Sequence, residues 1–195
     1  MDISKIFRSQ TRKELFRLYF TNPDQKYYLR ELERQLSIPV SMIRAELLRL
    51  EKDGIFSSSR QGNLTYYTLN RSYPLFEELK SIVFKTIGIQ GELRNILSSI
   101  KGIEAAFIYG SFARKQETAQ SDIDILIIGT IEQSALLDRI RELEHKIRRE
   151  INYSVLTPKE FRGKIKEKGS FLGQVMKNPV IFLAGDKNVL RKISE

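Results

Sequence analysis

Cysteine is absent from the 195 residues, and histidine occurs once. The first absence excludes disulfides, thiolate nucleophiles, Cys-zinc sites and iron–sulfur ligation, and the second excludes a histidine-built metal cluster. Any metal must therefore be held by oxygen. Long apolar runs are also missing: stretches such as Val180 to Ala184 reach five residues, against the roughly 20 that a membrane helix needs. The opening residues Met1-Asp2-Ile3-Ser4-Lys5 contain no apolar segment of the signal-peptide kind, so the expectation is a cytoplasmic protein without a membrane partner. No period of 20 to 50 residues recurs and no segment is of low complexity, which removes solenoids and propellers.

What is present is an ordinary soluble composition with one bias. Hydrophobic residues make up 41% of the chain, enough for one or two domains to bury a core. Lys and Arg number 33 against 24 Asp and Glu, a net charge of +9, so the surface should attract polyanions such as nucleic acid or nucleotide phosphate. Divided near Gly88, the first part has 15 basic and 10 acidic residues and the remainder 18 and 14. Both halves share the excess.

Apolar residues from Ile3 to about Tyr19 recur at helical spacing, and Thr21-Asn22-Pro23-Asp24 stops them. Leu29, Leu32 and Leu36 mark a short second helix. Ser37-Ile38-Pro39 turns into a third, whose Ile43, Leu47 and Leu50 form a buried stripe before a left-handed cap at Gly54. Ile55-Phe56, a polar tip over residues 57–63, and Leu64 to Leu69 predict a β-hairpin. Pro74 opens a fourth helix running to Thr86, a candidate dimer seam, and Gly88-Ile89-Gln90-Gly91 is expected to be a linker. The second half starts with a helix, Glu92 to Lys101, and then alternates: strand Ile103 to Tyr109, helix Ser111 to about Lys115, strand Ile123 to Ile128, helix Ser134 to Glu150, strand Ile151 to Thr157, helix Pro158 to Lys168. A last strand, Val180 to Leu183, precedes an ill-defined end. The expected class is α+β, with domains over residues 1–88 and 89–195.

Helix, helix, turn, helix, hairpin, helix is the order of a winged helix-turn-helix. Residues Ser9 to Thr86 resemble the ArsR/MarR-like winged-helix regulators, through Tyr28-Leu29-Arg30-Glu31-Leu32, Pro39 to Arg44, Leu50 to Ile55 and Tyr67 to Asn70. With the apolar stripe of the third helix turned inward, Ser41, Arg44 and Arg49 face outward. Arg44 can offer a bidentate fork to a guanine edge, Ser41 a phosphate or base contact, and Arg60 in the wing a backbone or minor-groove contact. The expected partner is double-stranded DNA, read as a homodimer.

The most specific pattern is Gly110-Ser111, ten residues, then Asp122-Ile123-Asp124. Side chains alternate along a strand, so Asp122 and Asp124 project together while Ile123, Ile125 and Ile127 enter the core. Adjacent carboxylates repel unless a cation lies between them, and hard oxygen ligands imply Mg²⁺ or Mn²⁺. At Gly110-Ser111, a strand-to-helix turn, glycine permits close backbone approach and N–H groups face an anion. Phosphate cradle and metal pair together describe a nucleoside triphosphate with its ion.

Residues Ile103 to Thr157, bracketing these motifs, resemble the minimal nucleotidyltransferases of the DNA polymerase beta superfamily. The resemblance implies a small mixed sheet flanked by helices, a triphosphate held at the Gly-Ser turn, and two metals held by three carboxylates. The third of these would lie on the neighbouring strand and help deprotonate the attacking hydroxyl. Asn152 stands at that place in Ile151-Asn152-Tyr153-Ser154-Val155-Leu156, with Glu150 two residues away as the alternative. An amide cannot serve as a general base. After the turn, Arg114 and Lys115 stand where active relatives commonly have Arg-Gly, and either could screen a triphosphate.

The expectation is accordingly an N-terminal winged helix-turn-helix followed by a small mixed-sheet nucleotidyltransferase-like domain: a DNA-binding regulator that binds nucleotide and Mg²⁺ with weak or no catalysis. The alternatives are an active nucleotidyltransferase acting on a protein, RNA or small-molecule hydroxyl, and a toxin–antitoxin-type interaction module. Arg139, Arg141, Lys146, Arg148 and Arg149 read as a salt-bridged exposed face, and His145 as surface. Lys159, Arg162, Lys164, Lys166 and Lys168 form a denser cationic cluster.

Overall fold

In the computed structural model, residues 7, 9–114, 116, 121–167 and 169–195 are described. Two units divide the chain, Met1–Gly91 and Glu92–Glu195.

The first unit is built from α1 (Gln10–Thr21), β1 (Tyr27–Tyr28), α2 (Leu29–Leu36), α3 (Val40–Lys52), β2 (Phe56–Gln61), β3 (Leu64–Leu69) and α4 (Phe76–Thr86). Ser9 caps α1 by accepting from the Arg12 amide at 3.2 Å. Ser37 ends α2 in the left-handed conformation, φ 53°. Pro39 then sits as the N-cap of α3, one residue before the helical position the sequence suggests. Gly54, φ 78°, closes α3, and the Ile55 amide returns to the Leu50 carbonyl at 2.9 Å. Periodic Ile43, Leu47 and Leu50 are fully buried. Their neighbours are aromatic: Tyr19 meets Phe56 edge to face at 4.7 Å, and Phe16 stacks on Phe56 at 6.4 Å.

The strands of this unit form an antiparallel sheet ordered β1-β3-β2. Three local expectations are corrected. The polar residues 57–61 are strand, not tip, because β2 pairs residue for residue with β3 from Phe56–Leu69 to Gln61–Leu64. Only Gly62 and Asn63 remain in the turn, and the serines are the exposed side of an edge strand. The two-residue β1 has no sequence signature of its own, because its Tyr27 and Tyr28 gain strand geometry only by pairing with Tyr67 and Tyr66. The fourth helix begins at Phe76 and not Pro74, with Leu75 as its cap. The start of the expected first helix, Ile3 to Ile6, lies outside the described residues.

Ile89 to Gly91 is not a linker but the first turn of α5 (Ile89–Ser98). Ile89, Gln90 and Gly91 are buried there.

The second unit continues with β4 (Ile103–Tyr109), α6 (Gly110–Ala113), β5 (Ile123–Gly129), α7 (Gln133–Ile147), β6 (Ile151–Leu156), α8 (Pro158–Lys166), α9 (Phe171–Lys177), β7 (Ile181–Ala184) and α10 (Lys187–Ser194). Its sheet runs β6-β5-β4-β7. β5 and β6 are parallel, joined through α7, and β4 is antiparallel to both its neighbours. One face carries Ile123, Ile125 and Ile127, all fully buried. The other carries Phe107, Leu126 and Ile128, covered by Phe161 of α8, Leu172 and Val175 of α9, and Leu190 and Ile193 of α10. Helix α10 resolves the end of the chain that sequence periodicity leaves undefined, and α9 adds a helix before the last strand; each is short, and each starts at a side-chain cap, Ser170 and Asp186.

Candidate functional site

β5 begins at Ile123, immediately after Asp122, and its register fixes the site. Asp124 pairs with Tyr109 of β4 on one side and with Asn152 of β6 on the other. Side chains opposite one another in a sheet share a face. Tyr109, Asp124 and Asn152 therefore line one edge of the face that turns apolar at Leu126. By parity Asp122 joins them, and the Asn152 Nδ2 donates to Asp122 Oδ2 at 3.4 Å.

Asp124 is half-buried and Asp122 exposed. Burial, and then the charge of Asp122, raise the Asp124 carboxyl above its ordinary value. Burial and then the Asp124 charge raise the Tyr109 phenol likewise. Both shifts have one physical source: negative charge gathered in a partly desolvated corner.

Gly110 follows Tyr109 with φ 75°, a conformation that disfavours any side chain. A side chain would also have to displace the acid, since a Cβ would lie 2.5 Å from Asp124 Oδ2. The carboxylate rests directly against the turn. Ser111 is half-buried, Phe112 and Ala113 are buried, and Arg114 is exposed at the C-cap of α6. Lys115 lies outside the described residues.

One residue that the sequence reading misplaces holds these pieces together. Arg149 belongs not to a solvated face but to the interior, 6% exposed. Its guanidinium donates to the Ser121 carbonyl at 2.9 Å and its Cζ lies 5.2 Å from the centre of the Phe112 ring. The same side chain thus touches the residue before Asp122 and the helix after Gly110-Ser111. A counted signal existed, because Ile147, Arg149 and Ile151 bracket the end of α7, but charge periodicity alone cannot tell a buried arginine from its exposed neighbours. His145 and Arg148 are exposed as expected, and Lys146 reaches Glu92 at 3.6 Å.

The two carboxylates suit a divalent cation by chemistry: both are hard oxygen donors, adjacent, and Asp124 is raised by burial and by the neighbouring Asp122 charge, which a cation would offset. Among the described residues no third donor of the same kind joins them. No group of three His, Cys, Asp or Glu able to hold a metal occurs among the described residues. Glu150 is exposed, and what it contributes here is its backbone carbonyl, accepting from the Ile123 amide at 3.0 Å.

The other candidate residues lie in the first unit. Ser41 and Arg44 are exposed on α3 and, with Leu29, Arg30, Val40, Ala45 and Leu48, line a shallow concavity of about 520 Å³ between α2 and α3. Arg49 is drawn aside by Glu46, 3.5 Å away. Glu46 is 3% exposed and also bridged by Arg12. Arg60 stands in β2, its Nε donating to the Gly62 carbonyl at 3.2 Å. Lys159, Arg162, Lys164 and Lys166 are exposed on α8, and Lys168 falls outside the described residues. No described helix is long and apolar enough to cross a membrane.

Residues 91–180 match the family model of Polymerase beta, Nucleotidyltransferase. The second unit is thus a nucleotidyltransferase-like domain, and the matched segment contains the Gly-Ser turn, both aspartates and Asn152. Among solved structures, a mutant of the toxin–antitoxin pair MntA–HpeT is similar at 14% identity and a TM-score of 0.41, over 54% of this chain and 81% of that one. A toxin–antitoxin structure with AMP-PNP is similar at 15% identity and a TM-score of 0.39, over 54% and 80%. No curated protein matches the chain.

Proposed function

We propose that the chain is a DNA-binding regulator: a winged helix in the first unit reads double-stranded DNA as a homodimer, and the second unit binds a nucleoside triphosphate with Mg²⁺ or Mn²⁺ while transferring little or nothing. The observation that carries this reading is the β5–β6 register, which sets an amide, Asn152, across from Asp124. Asp122 and Asp124 would hold the ion. When bound, the ion supplies the positive charge that a triphosphate needs beside two carboxylates.

The chain's own residues do the rest. Gly110 leaves room for a phosphate to approach the backbone, and the Ser111 hydroxyl donates to a phosphate oxygen. Arg114 screens charge from the exposed side. Asn152 orients through its amide but cannot take the proton of an acceptor hydroxyl. Catalysis therefore lacks its base while the binding elements are retained. For the first unit, the support is the order of helices and hairpin together with the exposure of Ser41 and Arg44 on α3. If the nucleotide favours one dimer geometry, DNA affinity changes by the same coupling factor.

The test has two arms. In the first, calorimetry with each triphosphate and Mg²⁺ should show binding that Asp124→Ala abolishes. Transfer of labelled nucleoside monophosphate should be barely measurable in the native chain and rise about a hundredfold or more in Asn152→Asp. Rapid metal-dependent transfer by the native chain would make it an active nucleotidyltransferase instead. In the second arm, retention of genomic DNA fragments should fall with added salt and with Arg44→Ala. Retention indifferent to both would remove the DNA-reading half.

A further inference from the structure

Phe171 is the most exposed large apolar side chain among the described residues, at 60%. It opens α9, whose own packing is supplied by the buried Leu172 and Val175. The helix start is already satisfied by the Ser170 hydroxyl, which accepts from the Gly173 amide at 3.1 Å. Neither core nor cap needs a phenylalanine here.

Its contact is informative. The Phe171 ring stands edge to face against Tyr109, centroids 5.6 Å apart and planes at 75°. Tyr109 immediately precedes Gly110 and lies opposite Asp124 in the sheet. One ring therefore separates an exposed aromatic surface from the acid pair and the Gly-Ser turn. Edge-on support by Tyr109 leaves the ring held in place, with most of its surface in solvent.

We propose that Phe171 is the stacking platform for the base of the nucleotide held at the Asp122–Asp124 site, with Tyr109 as the ring that fixes its position. The proposal rests on the nucleotide-binding reading above. A lone aromatic face accepts every base, because each has a π-surface, and it favours those with the larger one. The site should rank purine above pyrimidine triphosphates and discriminate little within each class.

Three probes separate this inference from its parent: inorganic tripolyphosphate, ATP and CTP, each with Mg²⁺ and the full chain, measured by calorimetry. The native chain should bind ATP about tenfold or more tightly than tripolyphosphate, with CTP between them. Phe171→Ala should erase the advantage of ATP while leaving tripolyphosphate affinity unchanged. Because the chain has no tryptophan, Phe171→Trp introduces a single indole, whose fluorescence ATP should quench and tripolyphosphate should not. An ATP advantage that survives Phe171→Ala would overturn the platform. So would unchanged nucleotide affinity accompanied by a changed oligomeric mass, which would make the ring a protein contact. If none of the three probes binds the native chain, the nucleotide reading itself fails and takes this assignment with it.

Discussion

Arg44 in the first unit and Arg149 in the second each stand beside a candidate site, and they differ in what surrounds them. Arg44 is exposed on α3, over a core of aromatic and leucine side chains complete without it. Arg149 is buried, donates to Ser121 and lies over Phe112. In the first unit the polar surface is laid on a finished core. In the second the candidate site and the packing use the same atoms. Function and stability should therefore separate under mutation in one unit and move together in the other.

The largest expected difference comes from removing the two guanidinium groups. Arg149→Met should destabilise the second unit by about 2–3 kcal/mol, because a buried hydrogen bond from a charged donor to the Ser121 carbonyl is lost. It should also loosen nucleotide binding by freeing the backbone before Asp122. Arg44→Met should leave stability within about 0.5 kcal/mol of native while weakening DNA retention. Thermal unfolding of both variants decides it: equal losses would break the contrast.

Two glycines sharpen the comparison at a smaller scale. Gly110 and Gly62 both have positive φ, 75° and 60°, so alanine at either incurs about 1–2 kcal/mol of backbone strain. Their surroundings are unlike. A Cβ on Gly62 meets nothing within 4 Å, whereas on Gly110 it meets Asp124 Oδ2. Gly62→Ala should show the backbone cost alone, with little effect elsewhere. Gly110→Ala should show at least that cost and turn the Asp124 carboxylate away, so that Mg²⁺-dependent ATP binding is lost in calorimetry. Retained binding would show that the turn is not packed against the acid pair.

How much of this could be read from the chain follows the same division. Ile43, Leu47 and Leu50 repeat at helical spacing, and Ile123, Ile125 and Ile127 at strand spacing, so α3 and β5 were legible from the period of their apolar residues. The paired aspartates and Gly-Ser turn were legible because their chemistry is local in sequence. What pairing alone creates was not. β1 is two tyrosines that become a strand only against β3, and the serines of β2 look like a loop until β3 holds them. Ile89–Gly91 carries the composition of a linker, yet forms a helical turn. The burial of Arg149 and the contact of Phe171 with Tyr109 depend on elements far apart in the chain, and no local pattern marks them.

The smallest expected effect compares a carboxylate from each unit. Glu33 receives hydrogen bonds from the Arg30 guanidinium and the Val40 amide, which hold its carboxyl below the usual glutamate value. Glu160 closes the capping box of α8, taking hydrogen bonds from the Thr157 amide and hydroxyl at 2.8 Å, and is likewise lowered. A carboxyl lowered by folding stabilises the native state above its unfolded pKa, and that contribution disappears as pH falls through the folded value. Acidification from about pH 5 to pH 3 should therefore weaken both units. Glu160 is exposed and Glu33 half-buried at the surface, so solvent screens the effect. Glu33→Gln should flatten the acid dependence of unfolding in the first unit and Glu160→Gln in the second, each leaving the other unchanged. Melting temperatures recorded across that range with a probe in each unit test this. A single glutamine that flattens both curves would mean that the units unfold as one, and would dissolve the contrast between them.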